Sequence, residues 1–271
     1  MFRIKPFVTF VLVSSMVSVY LFASAPPPLE EQGGSDEARV PTWEFLKILA
    51  AENAAVRKLY TSEIVLPGKE VGLKFDERWR DADVEAGPLP ALFLREASRN
   101  LERRPEPVGL FLGSDAPIRR ANLFVGKQAS EFLRLRDGET ERHFVTEDLG
   151  VSTAMFPDLA VSQACVTCHN EHPNSPKQDW KLGDVMGATT WTYPRPLVGP
   201  AEILAGLRAL RESLQEAYAA YVEKALTFDN PPTVGDQWPI NGYYLPTPQA
   251  FMARAEQLTS RATLEALLAT R

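Results

Sequence analysis

The chain has 271 residues, 45% of them hydrophobic and 24% charged, proportions of a globular protein that exclude a disordered, collagen-like or polytopic membrane chain. Acidic residues outnumber basic ones 35 to 29, for a formal charge of −6. The balance is more acidic still once the first 25 residues, which carry only Arg3 and Lys5, are set aside, so nucleic-acid binding is excluded as the main activity because it needs a basic footprint. Two cysteines cannot build a disulfide scaffold, and whatever they do is local.

Arg3 and Lys5 precede an apolar run from Phe7 to Ala23, followed by the small residues Ala23-Ser24-Ala25. This is the layout of an export signal, and the run is short and polar (Thr9, Ser14, Ser15, Ser18) for a permanent span. Pro26 directly after the cleavage position leaves an uncleaved N-terminal anchor as the alternative. Either way, the positive-inside rule places the rest of the chain outside the cytoplasm, in the periplasm. Residues 26–41, with Pro-Pro-Pro, Glu-Glu and Gly-Gly, read as a linker with little to bury.

The folded part is expected to begin near Thr42, a candidate cap for a helix with Trp43, Leu46, Leu49, Val56 and Tyr60 on one face. Residues 67–88 read as irregular and charged. A second helix is expected over Pro90–Arg104, with proline in its first turn and Phe93, Leu94, Ala97 and Leu101 inward. Short strand-like runs follow at 108–112, 143–146, 151–156 and 185–193, with a helix at 127–136 between them. Helices first and then short strands favour an α+β fold with an antiparallel sheet. After Pro200 a helix to about Phe228 carries a heptad-like stripe, Ile203, Leu207, Leu210, Leu214, Ala217 and Tyr221, expected to pack on its own domain rather than form a dimer seam. Pro231-Pro232 breaks it, and a last helix starts at Thr247-Pro248.

The residues that carry chemistry are Cys165-Val166-Thr167-Cys168-His169. Cys-x-x-Cys-His is the signal for covalent haem attachment: two thiols three positions apart reach the two vinyl groups of one porphyrin, and the adjacent His169 becomes an axial ligand of the iron. An exported protein is also where such a haem is attached. The alternatives are a redox dithiol, whose thioredoxin-like βαβ context is missing here, and a zinc site using Cys165, Cys168 and His172, which lacks a fourth ligand.

The second axial position stays open among Met155, His143, Met186, His172 and no protein ligand, with Met155 and His143 the leading candidates. His172, three residues past His169, falls on the proximal side. Trp180, Trp191, Tyr193 and Phe156 are candidate apolar walls, and Arg57, Lys58, Arg119 and Arg120 candidate partners for haem propionates. No phosphate-binding glycine loop, Gly-x-Ser-x-Gly or His-Glu-x-x-His occurs. The chain is therefore not expected to be an enzyme, and no catalytic residue is assigned.

The stretch from Cys165-Val-Thr-Cys-His through Lys177-Gln-Asp-Trp-Lys-Leu-Gly-Asp-Val-Met-Gly-Ala188 resembles a bacterial family of extracytoplasmic c-type haem domains, formally of unknown function. The likeness reaches back through Thr153–Ala160, Ser114–Phe124 and the helix around Arg57-Lys-Leu-Tyr-Thr61, and covers about residues 42–196. The resemblance implies a PAS-like fold, often the sensory part of histidine kinases, cyclases and chemoreceptors. It also implies Cys165 and Cys168 as attachment sites and His169 as proximal ligand; it implies nothing about the distal ligand. No kinase or cyclase module accompanies the domain. The expected layout is thus a signal or anchor (1–25), a linker (26–41), a PAS-like haem domain (42–196) and a helical C-terminal extension (197–271). One covalent haem c would serve one-electron transfer or redox sensing with a partner protein. The competing class is a sensor of nitric oxide, carbon monoxide or oxygen acting through a partner. No nucleic acid is expected, and a membrane only if the N-terminal segment is retained.

Overall fold

The computed structural model describes residues 39–146, 150–239 and 244–268. The expected signal segment, and the linker up to residue 38, lie outside the described residues. From residue 39 onward the chain forms one compact unit, and no helix among the described residues is long and apolar enough to cross a membrane.

Seven helices organise it: α1 (Thr42–Leu59), α2 (Leu66–Glu70), α3 (Pro90–Glu102), α4 (Gly126–Arg136), α5 (Gln163–Glu171), α6 (Pro200–Ala225) and α7 (Pro248–Leu268). The principal sheet has four strands, β1 (Gly109–Gly113), β2 (Arg142–Thr146), β3 (Val151–Leu159) and β4 (Val185–Tyr193), in the spatial order β1-β4-β3-β2 with every pairing antiparallel. The expected mixed class with an antiparallel sheet is what the chain adopts.

Successive residues of a strand face opposite sides, and β3 divides its neighbours accordingly. Ala154 joins the large core that Phe45, Leu49, Tyr60, Phe93 and Trp191 build with residues of α6 and α7. Met155 points the other way, into a smaller cluster with Phe124, Phe132, Leu135 and Ala188 beneath α4.

Three expectations are corrected. Thr42 does not cap α1: its hydroxyl donates to the Arg195 carbonyl at 2.6 Å and its N–H to the Pro196 carbonyl, tying the start of the helix to the chain leaving β4. The segment after Tyr60 is not irregular from Pro67 onward. The helix passes through a widened π-type turn, Tyr60–Val65, and continues as α2 to Glu70. Pro67 supplies no N–H and its ring would crowd the carbonyl four residues back, and a π-bulge is one of the ways a helix absorbs such a defect. Thr61 and Ser62 also donate to the carbonyls of Arg57 and Lys58, which loosens the same turn. Beyond it, Phe75–Asp76 pairs in parallel with Gly87–Pro88.

The third correction concerns residue 196 as a domain boundary. The helices beyond it do not form an extension, because Leu210, Leu214, Tyr218, Tyr221 and Phe251 are buried in the same core as Phe45 and Phe93. Two polar ties fix this packing. Arg211 donates twice to the buried carboxylate of Glu52, at 2.9 and 2.7 Å, and Thr263 donates to it at 2.9 Å. Arg104 of the loop after α3 reaches Ser213, Glu212 and Glu216 of α6. The heptad-like stripe thus packs on its own domain.

Close approach of α6 to α1 depends on Gly206, where a Cβ would overlap the ring of Phe45, itself fully buried. Alanine in a helix interior ordinarily gains up to about 1 kcal/mol over glycine. Here Gly206→Ala is expected to lower stability by about 1–3 kcal/mol through overpacking, measured as a fall in the thermal unfolding midpoint of the purified chain. An unchanged or raised midpoint would contradict this packing.

Candidate functional site

The motif helix α5 begins where Ser162, in an extended conformation, accepts from the Cys165 N–H, a cap of the kind serine favours. The Ser162 hydroxyl also lies 3.1 Å from the Cys165 sulfur. Spacings of three and four put Cys165, Cys168 and His169 on one side of the helix. Both cysteines are free, Cys165 half-buried and Cys168 exposed. Cys168 leans on protein along one side, and the loss of water there, with Glu77 nearby, pushes its thiol up.

His169 is half-buried, and its Nδ1 is shielded from water without a hydrogen-bond partner. Burial pulls its imidazole below the ordinary value, with Asp158 and Glu77 acting in the opposite sense and His172 adding to the fall. The shift favours the neutral ring, the form that offers a lone pair to a metal. Among the described residues no three His, Cys, Asp or Glu side chains are grouped to hold a metal ion. Cys165, Cys168 and His172 are not drawn into a zinc site.

The surroundings of α5 are fixed by a few polar contacts. Asn170 clamps the backbone of Trp180 from both sides, donating to its carbonyl at 3.0 Å and accepting from its N–H at 2.9 Å. Trp180 then packs with Ala160, Val166 and Met186, against which Cys165 and Ala116 rest. The Trp180 ring nitrogen has no partner, and Lys177 stands over its ring at 4.6 Å. His172 lies 3.5 Å from a Glu77 oxygen. Asp158, at the end of β3, is paired with Arg57 at 2.6 Å.

Met186 reaches this cluster through a local irregularity. Asp158 pairs with Gly187 and Leu159 with Val185, so the register passes over Met186, whose carbonyl accepts from Ser114 at 2.6 Å. An extra residue in one strand turns its side chain out of the regular alternation, a device common beside functional sites.

The other sequence candidates lie elsewhere. Met155 is fully buried in the cluster under α4, which contains no residue of α5. His143, on edge strand β2, stacks on Trp43 at 4.8 Å and 22° and lies 3.5 Å from Glu141. Of the four proposed aromatic walls only Trp180 packs at the motif; Trp191, Tyr193 and Phe156 belong to the main core. Arg57 is committed to Asp158, and Lys58, Arg119 and Arg120 are exposed. Sequence reasoning missed Ser162, Asn170, Asp158 and Glu77; for Ser162 the signal was a capping residue just ahead of the motif.

With this geometry in place, comparison with known families finds that the model of the Tll0287-like family matches residues 47–194, more than half of the chain. The chain belongs to the Tll0287-like family. The matched segment runs from within α1 to the end of β4. It therefore holds the sheet, α5 and every candidate ligand, whereas α6 and α7 lie outside it. No curated protein and no solved structure matches the chain.

Burial pulls the His143 imidazole below 6.5; Glu141 acts in the opposite sense and Lys47 and Arg142 add to the fall. The sign of the effect on stability follows from linkage. As pH falls through 6.5 the unfolded chain takes up this proton before the folded one, so His143 contributes stability above that pH and loses it on acidification. The expected observation is an NMR titration midpoint for His143 below 6.5, moving upward in Trp43→Ala as the ring regains water. A midpoint at or above 6.5 in the unaltered chain would refute the shielding.

Proposed function

We propose that this protein is an exported c-type haem protein, with one haem held through thioether bonds to Cys165 and Cys168 and with His169 as proximal ligand, and that it works in one-electron transfer or redox sensing. The observation that carries the reading is the helix turn itself: two free thiols on one side of α5 with His169 beside them, its Nδ1 shielded and without a partner and its imidazole pulled below the ordinary value by burial. The residues present fit the group. The thiols add across vinyl double bonds without an oxidant, the sulfur to one carbon and the hydrogen to the other. Trp180, Val166 and Met186 supply an apolar flank, and neutral His169 supplies a lone pair. When bound, haem supplies a reversible ferric–ferrous couple. The N-terminal apolar run supports export to the periplasm, and an antiparallel sheet with helices on both sides supports the PAS-like reading of the fold.

Electron exchange with a partner protein is favoured by the outer face of α5, where Gln163, Ala164, Thr167 and Cys168 are exposed and a porphyrin bonded to the thiols would be within reach of a partner. One observation favours a second reading, the binding of a small gas ligand. Met155 and His143 both pack away from α5, which supports a reading in which neither fills the sixth position.

The test is an optical spectrum of the chain expressed with a haem-attachment system, ferric and ferrous, with and without carbon monoxide, together with a pyridine haemochrome. One covalent haem is expected, lost on Cys165→Ala with Cys168→Ala, and Met155→Ala and His143→Ala are expected to leave the spectrum unchanged. A six-coordinate low-spin iron indifferent to carbon monoxide supports electron transfer, and a shift with carbon monoxide supports ligand sensing. A chain that matures without covalent haem would sink both.

A further inference from the structure

Outside the residues already assigned, the guanidinium of Arg95 on α3 is a cation among the described residues with a buried donor left unpaired. It is half-buried, its Nη1 is shielded from water with no hydrogen-bond partner, and no ion pair within 4 Å involves it among the described residues. A guanidinium carries five donors and is never neutral in ordinary conditions. Withdrawing it from water without an acceptor is costly unless an anion arrives. The groups facing it make the case sharper: burial pulls the Arg95 guanidinium down, Arg119 and Arg99 pull it further the same way, and only Glu77 acts in the opposite sense. Two cations are thus gathered around a third.

The position of this cation matters more than its discomfort. Arg119 sits in the loop after β1, which folds back through hydrogen bonds from Ser114 to Asn122 and from Phe124 to Ser114. The same loop places Ala116 against the cluster that contains Cys165, Val166 and Trp180. Glu77 lies 3.5 Å from His172, three residues past His169. Arg119 thus belongs to the loop whose Ala116 packs into the motif cluster, Arg95 feels the charges of both Arg119 and Glu77, and Arg57, whose charge Asp158 already takes up, leaves that role to them. Glu77 is engaged with His172 and does not form an ion pair with Arg95.

Resting on the haem reading above, we propose that Arg95, assisted by Arg119, binds the propionate carboxylates of the porphyrin attached at Cys165 and Cys168. A planar guanidinium meets a carboxylate through two parallel hydrogen bonds, which would satisfy the orphaned nitrogen and offset the Arg95–Arg119–Arg99 repulsion in one step. The same contact orients the macrocycle on α5, since the propionate edge lies opposite the vinyl edge that the cysteines hold.

The test uses the matured protein. Reduction potential is measured across the pH range in the unaltered chain, Arg95→Gln, Arg95→Lys, Arg119→Gln and the exposed control Lys58→Gln. A nearby cation keeps a propionate ionised and favours the reduced iron. Arg95→Gln is therefore expected to lower the potential and to bring a pH-dependent step, from a propionate now titrating higher, into the measured range. Arg95→Lys should restore much of both, Arg119→Gln should give a smaller shift in the same direction, and Lys58→Gln none. A merely structural role for Arg95 would not move the pH profile. If Arg95→Gln fails to mature, Arg119→Gln and Arg95→Lys decide: potentials and profiles identical to the unaltered chain in both overturn the proposal. An unaltered chain that takes up haem while Arg95→Gln keeps its potential and profile overturns this inference alone, whereas an unaltered chain without haem overturns the functional reading and this inference with it.

Discussion

The geometry of the site hangs on one irregularity in the central strand. β4 is hydrogen-bonded on both sides, to β1 and to β3, so strict alternation would commit each of its side chains to one of two faces. The skipped register at Met186 breaks that rule at one place. Ala188 and Val185 pack under α4, Trp191 and Tyr193 enter the main core, and Met186 turns to the cluster beneath Cys165 and Val166. The backbone there has no slack: a Cβ on neighbouring Gly187 would press on the Gly113 carbonyl, and Ser114 holds the Met186 carbonyl. The strand pair thus closes tightly on one side while presenting a side chain to the motif helix on the other.

Rigidity elsewhere follows from how polar groups are spent. A short helix such as α5 is marginal by itself, and its position comes from its ends: Ser162 at the start, Asn170 clamped on Trp180 near the finish. Deeper in the molecule, the carboxylate of Glu52 is almost wholly removed from water and is tolerable only because Arg211 and Thr263 saturate it. That contact joins α1 to α6 and α7. The helices beyond the Tll0287-like segment are therefore tied to α1, the helix that also carries Arg57.

What was legible in the sequence was local. The long strands announce themselves by Val, Thr and Trp between turn residues, and Pro90 marks a helix start; both hold because their signals lie within one element. What was not legible came from pairing across the chain. Met155 and His143 were candidates because they are the right residue types in the right stretch, and which face of the sheet each occupies depends on register with a neighbouring strand, Thr190 opposite Met155 and Ala154 opposite His143. Arg57 read as a free cation until Asp158, a hundred residues later, claimed it. Residue 196 looked like a boundary because the composition turns helical there, yet a stripe of apolar residues says only that a helix is covered, not by what. Arg95 gave no signal, since an arginine on a helix is ordinarily solvated, and its isolation is a property of the assembled fold.

The electrostatics around His169 resolve into one consequence. A lone carboxylate beside an imidazole stabilises its protonated form, and a protonated ring has no lone pair for a metal. Asp158 is such a carboxylate, but its charge is shared with Arg57 at 2.6 Å, and Glu77 is turned toward His172. Burial outweighs both, and the imidazole is pulled below its ordinary value. Burial is what favours the neutral ring, and Arg57, by pairing with Asp158, limits how far that carboxylate opposes it.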